Sequence, residues 1–166
     1  SFNFFDKENE TLRNACTEVT SRDDSDICNL GSINMANINS LAEMSEVVEV
    51  GTAFLMAGTL YSDVPYAEVD KIRTKNRRLG LGLMGLHEWL LKNGQPYGPE
   101  GVLEGYMDLY ADSDKWAGVY AKKWEISKPL KTRAVAPTGT IGIISETTTG
   151  IEPIFWQGQA AISDTL

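Results

Sequence analysis

The chain has 166 residues, 42% hydrophobic and 9% aromatic, which supplies enough apolar material for a folded core and excludes a disordered chain. Its 15 basic and 23 acidic residues give a formal net charge of -8, which argues against nucleic-acid binding. No apolar run reaches the roughly 18 residues of a membrane span, and no signal peptide precedes the first elements, so we expect a cytoplasmic protein without a membrane partner.

The first elements in chain order change from loops to helices. Residues 1–40 lack helical periodicity and predict loops with brief extended pieces. From Leu41 to Ser62 apolar residues recur at helical spacing, and the opposite side is also mostly apolar, so a buried helix is predicted. Pro65 ends this segment. The stretch YAEVDKIRTKNRR that follows predicts a shorter amphipathic helix running into a basic turn.

The second half alternates apolar strands with helices. LGLGLMG at 79–85 predicts a buried strand, and LHEWLLKNG a helix closed by Gly94. Apolar spacing predicts one long helix from about 100 to 126. TRAVA at 132–136 predicts a short strand, PTGTIGII a turn into a helix, and TGIEPIFW at 149–156 another extended piece.

This order of elements predicts an α/β fold with mostly parallel strands, because helices connect successive strands. The sequence contains no internal repeat and no linker rich in proline or serine. Residues 1–166 are therefore predicted to form a single structural unit.

Three glycines, Gly80, Gly82 and Gly85, match the dinucleotide-binding pattern G-x-G-x-x-G. In that motif an apolar strand precedes the first glycine, whereas TKNRR precedes it here. Tight packing of a buried strand against its neighbours is the better interpretation.

Metal binding is not predicted, because zinc needs several closely spaced Cys or His ligands and the chain offers Cys16, Cys28 and a single His87. We expect His87 to be an ordinary, partly buried side chain. A Cys–His hydrolase would require His87 to reach Cys16, and no sequence feature supports this.

The group Asn14-x-Cys16-x-Glu18 is the most distinctive feature of the sequence. In an extended segment alternate residues project to one side, so an amide, a thiol and a carboxylate would share one volume. In a reducing compartment the two thiols favour reactivity or burial over a structural disulfide. The alternative is that Cys16 is a small buried apolar residue, but this would not explain why Asn14 and Glu18 flank it.

PTGT at 137–140 places two threonines and a glycine at the start of an apolar helix. The unpaired N–H groups of such a start can cradle a phosphate. A plain capped turn is the alternative, and it is favoured when the segment is considered alone.

Five blocks, in this order, resemble the catalytic subunit of ribonucleotide reductases. The resemblance extends from about residue 10 to residue 157 and implies part of a ten-stranded α/β barrel, with a finger loop that carries Cys16. The blocks are NACTE (14–18), CNLGSIN (28–34), NRRLGLGLMGL (76–86), APTGTIGII (136–144) and TGIEP (149–153).

The resemblance also implies residue roles. Cys16 would become the thiyl radical that abstracts the 3′ hydrogen of the ribose, Glu18 would take the 3′ hydroxyl proton, and Asn14 would hydrogen-bond the substrate. Cys28 would be one of two cysteines that deliver reducing equivalents. The substrate phosphates would lie against the turn Pro137, Thr138, Gly139, Thr140 and Ile141.

The sequences of the blocks resemble adenosylcobalamin-dependent reductases more closely than the reductases that use a separate metal-containing subunit. A radical supplied by such a subunit is the alternative. The implied partners are a ribonucleoside di- or triphosphate, the remaining portion of the catalytic subunit, a thioredoxin- or glutaredoxin-type reductant and further copies in an oligomer. We expect this chain to be inactive alone, and the Cys16 sulfur to be enclosed beside Glu18.

Two other functions stay open. A non-catalytic interaction module would keep the fold fragment without needing Cys16. A small thiol oxidoreductase would instead pair Cys16 with Cys28 as a disulfide.

Overall fold

The structure is a computed structural model and describes residues 12–154. A 3₁₀ turn at Met35–Asn37 follows the third strand. The strands and helices are β1 (Leu12–Arg13), β2 (Thr20–Ser21), β3 (Asn29–Asn34), α1 (Leu41–Tyr61), α2 (Ala67–Asn76), β4 (Leu79–Met84), α3 (Leu86–Lys92), α4 (Val102–Ala111), α5 (Ser113–Lys123) and α6 (Gly139–Ile144).

A parallel sheet organises the described part of the chain. β3 and β4 pair in parallel from Asn29 opposite Leu79 to Asn34 opposite Met84, and every residue of β4 is buried. On the other side of β4, Leu81 forms a parallel bridge with Arg133. The predicted buried strand at 79–85 is confirmed, whereas the predicted strand at 132–136 is reduced to this single bridge.

α1 packs across the sheet with one face. It begins after Ser40, whose Oγ accepts the Glu43 N–H at 3.1 Å, and it buries Met44 and Val48 completely. The prediction that both sides are buried is wrong, since Phe54 is 77% exposed. The exposed side borders an apolar groove of about 590 Å³ beside β3, which Leu30, Val50 and Phe54 help to line.

The single long helix predicted from about 100 to 126 is two helices, α4 and α5, separated at Asp112. The Asp112 N–H donates to Leu109 O at 3.1 Å, three residues back, which tightens the turn. The break brings buried Ser113 to Thr132, with their hydroxyl oxygens 3.1 Å apart. The helix therefore breaks at Asp112, where Ser113 can hydrogen-bond to Thr132, although apolar residues recur at helical spacing through this segment.

The glycines of β4 allow close contact with neighbouring strands, as predicted. A Cβ on Gly80 would lie 2.3 Å from a Leu30 methyl carbon and 3.1 Å from Cys28 Sγ. A Cβ on Gly82 would lie 2.6 Å from Ala134 O. Neither position leaves space for a side chain, which confirms packing over dinucleotide binding.

The remaining elements follow the predictions. α2 and α3 occupy the expected segments, and Gly94 closes α3 with a φ of 63°. α6 begins at Gly139 within PTGTIGII. Residues 149–154 form no strand, and the rest of the predicted extended piece at 149–156 lies outside the described residues. Within 12–154, none of the helices has both the length and the apolar run that a membrane crossing requires.

Candidate active site

Cys16 lies at the tip of a hairpin formed by β1 and β2, which pair antiparallel. The tip is a tight loop rather than an extended segment. The Val19 N–H donates to Asn14 Oδ1 at 3.2 Å, and the Thr17 N–H donates to Asn14 O at 3.1 Å. Thr17 has a φ of 63°, a left-handed conformation that completes the reversal.

This loop corrects two expectations. The side chains of Asn14, Cys16 and Glu18 do not alternate along an extended strand, because the chain turns between them. Cys16 is exposed, so residues 12–154 do not enclose its sulfur. Both cysteines are free thiols, so the structure contains no Cys16–Cys28 disulfide.

Glu18 points inward from the same loop. Its side chain is half-buried, and its Oε2 is buried without a hydrogen-bond partner among the described residues. A buried carboxylate oxygen without a donor is costly unless a ligand or a proton satisfies it. Glu18 is therefore available to accept a hydrogen bond or a proton from a bound molecule.

Cys28 lies immediately before β3 and against Gly80 of β4. The pKa of the Cys28 thiol is raised to about 12, chiefly by burial; the positive charge of Arg78 lowers it, and the negative charges of Asp26 and Glu18 raise it. Cys28 is consequently a neutral thiol at pH 7, suited to hydrogen-atom transfer rather than to nucleophilic attack as a thiolate.

A pocket of about 320 Å³ lies between the hairpin and the segment leading to Cys28. Polar and apolar residues both line it, and neither Cys16 nor the 137–141 turn is among its lining residues. Its lining includes Asn14, Ser21, Asp26, Cys28 and Arg78.

The predicted phosphate turn is an exposed helix start. Pro137, Gly139, Thr140 and Ile141 are exposed, and a Cβ on Gly139 would meet no atom within 4 Å. Thr138 is buried, with a φ of 54°. Its Oγ1 accepts the N–H of the glycine at position 150 at 2.7 Å, so it shapes the loop and only Thr140 offers an exposed hydroxyl.

His87 takes no part in this arrangement. It is partly buried, as predicted, its ring stands edge-on to Tyr97, and its Nδ1 accepts the Ile154 N–H at 2.6 Å. Within the described range, no three His, Cys, Asp or Glu side chains gather closely enough to hold a metal ion.

The sequence interpretation missed a buried ion pair beneath the hairpin, between Asp26 and Arg78. The available signal was an acidic run, DDSD at 23–26, and a basic pair, RR at 77–78. Their separation along the chain gives no indication that they meet, since β3, α1 and α2 lie between them.

The family model of the ribonucleotide reductase barrel domain matches residues 3–106. The chain belongs to the ribonucleotide reductase family. A vitamin B12-dependent ribonucleoside-diphosphate reductase of Mycobacterium tuberculosis is 33% identical over 153 residues, covering 77% of this chain and 22% of that protein. The vitamin B12-dependent ribonucleoside-diphosphate reductase of Thermoplasma acidophilum is 31% identical over 153 residues, covering 77% of this chain and 20% of that protein.

The crystal structure of a B-12 dependent (class II) ribonucleotide reductase shares the fold of this chain. The two superpose with a TM-score of 0.70 at 21% identity, over 83% of this chain and 22% of the other. These findings confirm the predicted family and its α/β barrel-domain fold. The chain spans about a fifth of the length of these relatives.

Proposed function

We propose that this chain forms part of a ribonucleotide reductase catalytic subunit, an oxidoreductase that reduces ribonucleotides to deoxyribonucleotides for DNA synthesis. One observation carries the proposal: the hairpin whose tip holds Cys16 also carries a Glu18 carboxylate oxygen that is buried without a partner among the described residues, and a pocket lined by Asn14 and Cys28 lies between this hairpin and the segment leading to Cys28. A proton acceptor and an exposed sulfur thus share one hairpin, and a second thiol lines the pocket beside it.

Each residue has a distinct role in this reaction. The Cys16 sulfur, as a radical, takes the 3′ hydrogen atom of the ribose and returns it at the end. Glu18 accepts the 3′ hydroxyl proton, and Asn14 hydrogen-bonds the substrate. The 2′ hydroxyl leaves as water while Cys28 and a second thiol, outside this chain, are oxidised to a disulfide.

The exposed hairpin tip fits a radical source that must contact Cys16 directly. Adenosylcobalamin, when bound, would supply radical chemistry at this sulfur. Its presence in the reaction is favoured by the vitamin B12-dependent relatives. A separate metal-containing subunit is the alternative source.

The turn Pro137, Thr138, Gly139, Thr140 and Ile141 would hold the phosphates of a ribonucleoside di- or triphosphate. Its exposed N–H groups at the start of α6 and the open space at Gly139 support this role. The buried Thr138 hydroxyl would keep the turn in shape through its bond to the loop that follows α6.

The proposal assigns the surface that encloses Cys16 to the remaining portion of the catalytic subunit. Among the described residues β3 pairs only with β4, and an apolar groove lies along its other side. An edge of this kind accepts further strands. A thioredoxin- or glutaredoxin-type dithiol would regenerate Cys28 in the cytoplasm, and we expect the assembled enzyme to be an oligomer.

The test is reconstitution. The 166-residue chain is mixed with the remaining portion of the catalytic subunit, a dithiol and a ribonucleotide, with adenosylcobalamin in one arm and a metal-containing radical subunit in the other. We expect deoxyribonucleotide in the cobalamin arm. Product only in the second arm would reverse the cofactor assignment, and no product in either arm would favour the interaction module.

A further inference from the structure

Asp26 and Arg78 form an ion pair that is almost completely removed from solvent. Arg78 Nε lies 2.9 Å from Asp26 Oδ2, and the two side chains are 3% and 5% exposed, respectively. Two charges in such a place are stable only when each is paired and hydrogen-bonded, because desolvation otherwise costs several kcal/mol. The pair therefore needs the contacts around it.

The Asp26 carboxylate collects donors from separate parts of the chain. Its Oδ2 accepts from Ser21 Oγ at 2.7 Å, at the end of β2, and from Asn76 Nδ2 at 3.0 Å, at the end of α2. Its Oδ1 accepts the Ile27 N–H at 2.9 Å. Together with Arg78, these bonds fix one carboxylate between the hairpin, the α2–β4 connection and the segment entering β3.

The two thiols lie on segments that this carboxylate connects. Ser21 is on the return strand of the hairpin that carries Cys16, and Cys28 is two residues beyond Asp26. The Arg78 carbonyl accepts the Asn29 N–H at 3.3 Å, next to Cys28. A shift of the ion pair would consequently move Cys28 relative to the hairpin.

We propose that the Asp26–Arg78 pair is a positioning device that fixes the Cys28 thiol relative to the Cys16 hairpin. The role of this pair in catalysis rests on the proposed function, whereas the hydrogen bonds that define its geometry are independent of that function. The charges that act on Cys28 are those of Arg78, Asp26 and Glu18, and they partly cancel. The Cys28 thiol therefore lies close to the charges of Asp26 and Arg78 and still keeps its proton.

The test uses the wild-type chain and Asp26→Asn, a nearly isosteric change that removes one negative charge. Each is treated with iodoacetamide between pH 7 and pH 10, and alkylation of each cysteine is followed by peptide mass spectrometry. Asp26→Asn should lower the pKa of Cys28, and its alkylation at pH 8 should rise about tenfold if that pKa falls by about one. Alkylation of Cys16 should change by less than about twofold, because Cys16 is exposed at the hairpin tip, where solvent and salt screen the lost charge.

Two further variants separate positioning from folding. Arg78→Lys retains the positive charge beside Asp26 and should keep the wild-type Cys28 profile. Glu68→Gln removes one carboxylate from a surface ion pair with Lys71 and should change neither thiol. If the Asp26→Asn chain is folded and its Cys28 is alkylated at the wild-type rate at every pH, the proposal is wrong. The proposal is also wrong if Asp26→Asn and Arg78→Lys both accelerate the alkylation of Cys16 and Cys28 equally, because that result indicates a general loss of packing.

The alkylation experiment requires no turnover, so it is independent of the proposed function. If the wild-type reductase cannot be reconstituted, the proposed function fails and the alkylation result still decides the geometry. In a reconstituted enzyme, Asp26→Asn should lower kcat about tenfold and leave KM within about twofold of the wild-type value. A higher substrate concentration should not restore the wild-type rate. An unchanged kcat would overturn the positioning role.

Discussion

Cys28 shows how burial and neighbouring charges together set the chemistry of a residue. Desolvation makes its thiolate unfavourable, and the neighbouring carboxylates of Asp26 and Glu18 add to this effect. The thiol therefore keeps its proton through the physiological range. For a hydrogen donor in a radical reaction this state is the useful one.

This burial predicts a dependence of stability on pH. The pKa of Cys28 is about 12 in the folded chain against 9.0 for the free group, so the folded state binds the proton more tightly. The resulting stability is complete below pH 9 and is lost as the pH rises from 9 towards 12, with a slope of up to about 1.4 kcal/mol per pH unit. Cys28→Ser should lose this part of the slope, measured by urea unfolding at pH 8 and at pH 10.

Lysines and tyrosines contribute equally to the pH dependence of the free energy of unfolding in the wild type and in Cys28→Ser. Their contribution therefore cancels in the difference between the two chains. Equal slopes in the two chains between pH 8 and pH 10 would show that Cys28 titrates near its ordinary pKa. The burial argument would then be wrong.

The hairpin residues could be identified from the sequence, but their conformation could not. The motif at 14–18 located Cys16 and Glu18, whereas its turn contains no glycine or proline to announce a reversal. Thr17 instead adopts a positive φ, and the Asn14 side chain closes the loop. Side-chain capping of this kind depends on the folded geometry, which residue types alone do not specify.

At the scale of elements, β4 is the centre of the described fold and its glycines set the distance to its neighbours. Gly80 faces a Leu30 methyl, Cys28 Sγ and Ala134 Cβ, all within 3.2 Å of an added Cβ. All three are side-chain atoms, and the Leu30 side chain, which is 44% exposed, must shift to admit a methyl group. The spacing of the sheet and the position of Cys28 are therefore linked.

Gly80→Ala should lower the free energy of unfolding by about 1–3 kcal/mol, because the added methyl overpacks the contact with β3. Urea unfolding at pH 7 measures this effect. Gly98→Ala is the matched control, since a Cβ there meets no atom within 4 Å, and it should change the free energy by less than about 0.5 kcal/mol. Equal values for the two variants would contradict the packing assigned to β4.

The sequence predicted elements well where apolar periodicity agreed with tertiary contacts. β4 and α1 have long apolar patterns and were located to within a residue or two. β3 was predicted only as one of the brief extended pieces within 1–40, without bounds, because Asn29, Ser32 and Asn34 interrupt its pattern; the strand is stabilised by pairing with β4. The break at Asp112 was missed for the opposite reason, since hydrogen bonds from Ser113 override a continuous helical pattern.

At the scale of the whole molecule, one side of the sheet is covered by α1 while the edge of β3 has no partner strand among the described residues. Val50 and Phe54 are 59% and 77% exposed beside that edge. In the proposed catalytic subunit this surface would contact the remaining portion. Large exposed apolar side chains in such a groove are typical of an interface.

Phe54→Ser should weaken association with the remaining portion at least about tenfold, because aromatic side chains dominate such interfaces. The free energy of unfolding of the isolated chain should change by less than about 0.5 kcal/mol, since Phe54 is exposed there. Analytical ultracentrifugation of the mixture measures the first quantity and urea unfolding the second. Undiminished association would place the interface elsewhere.

The most direct test of the radical mechanism compares wild type with Cys16→Ser in the reconstituted reductase. Serine has nearly the same size but its O–H bond is too strong for the hydroxyl to replace the thiol as a radical carrier. Deoxyribonucleotide formation is measured from a ribonucleotide in the presence of the radical source and a dithiol. We predict product with the wild-type chain and none above background with Cys16→Ser, at equal folding stability; comparable product from both chains would contradict the account.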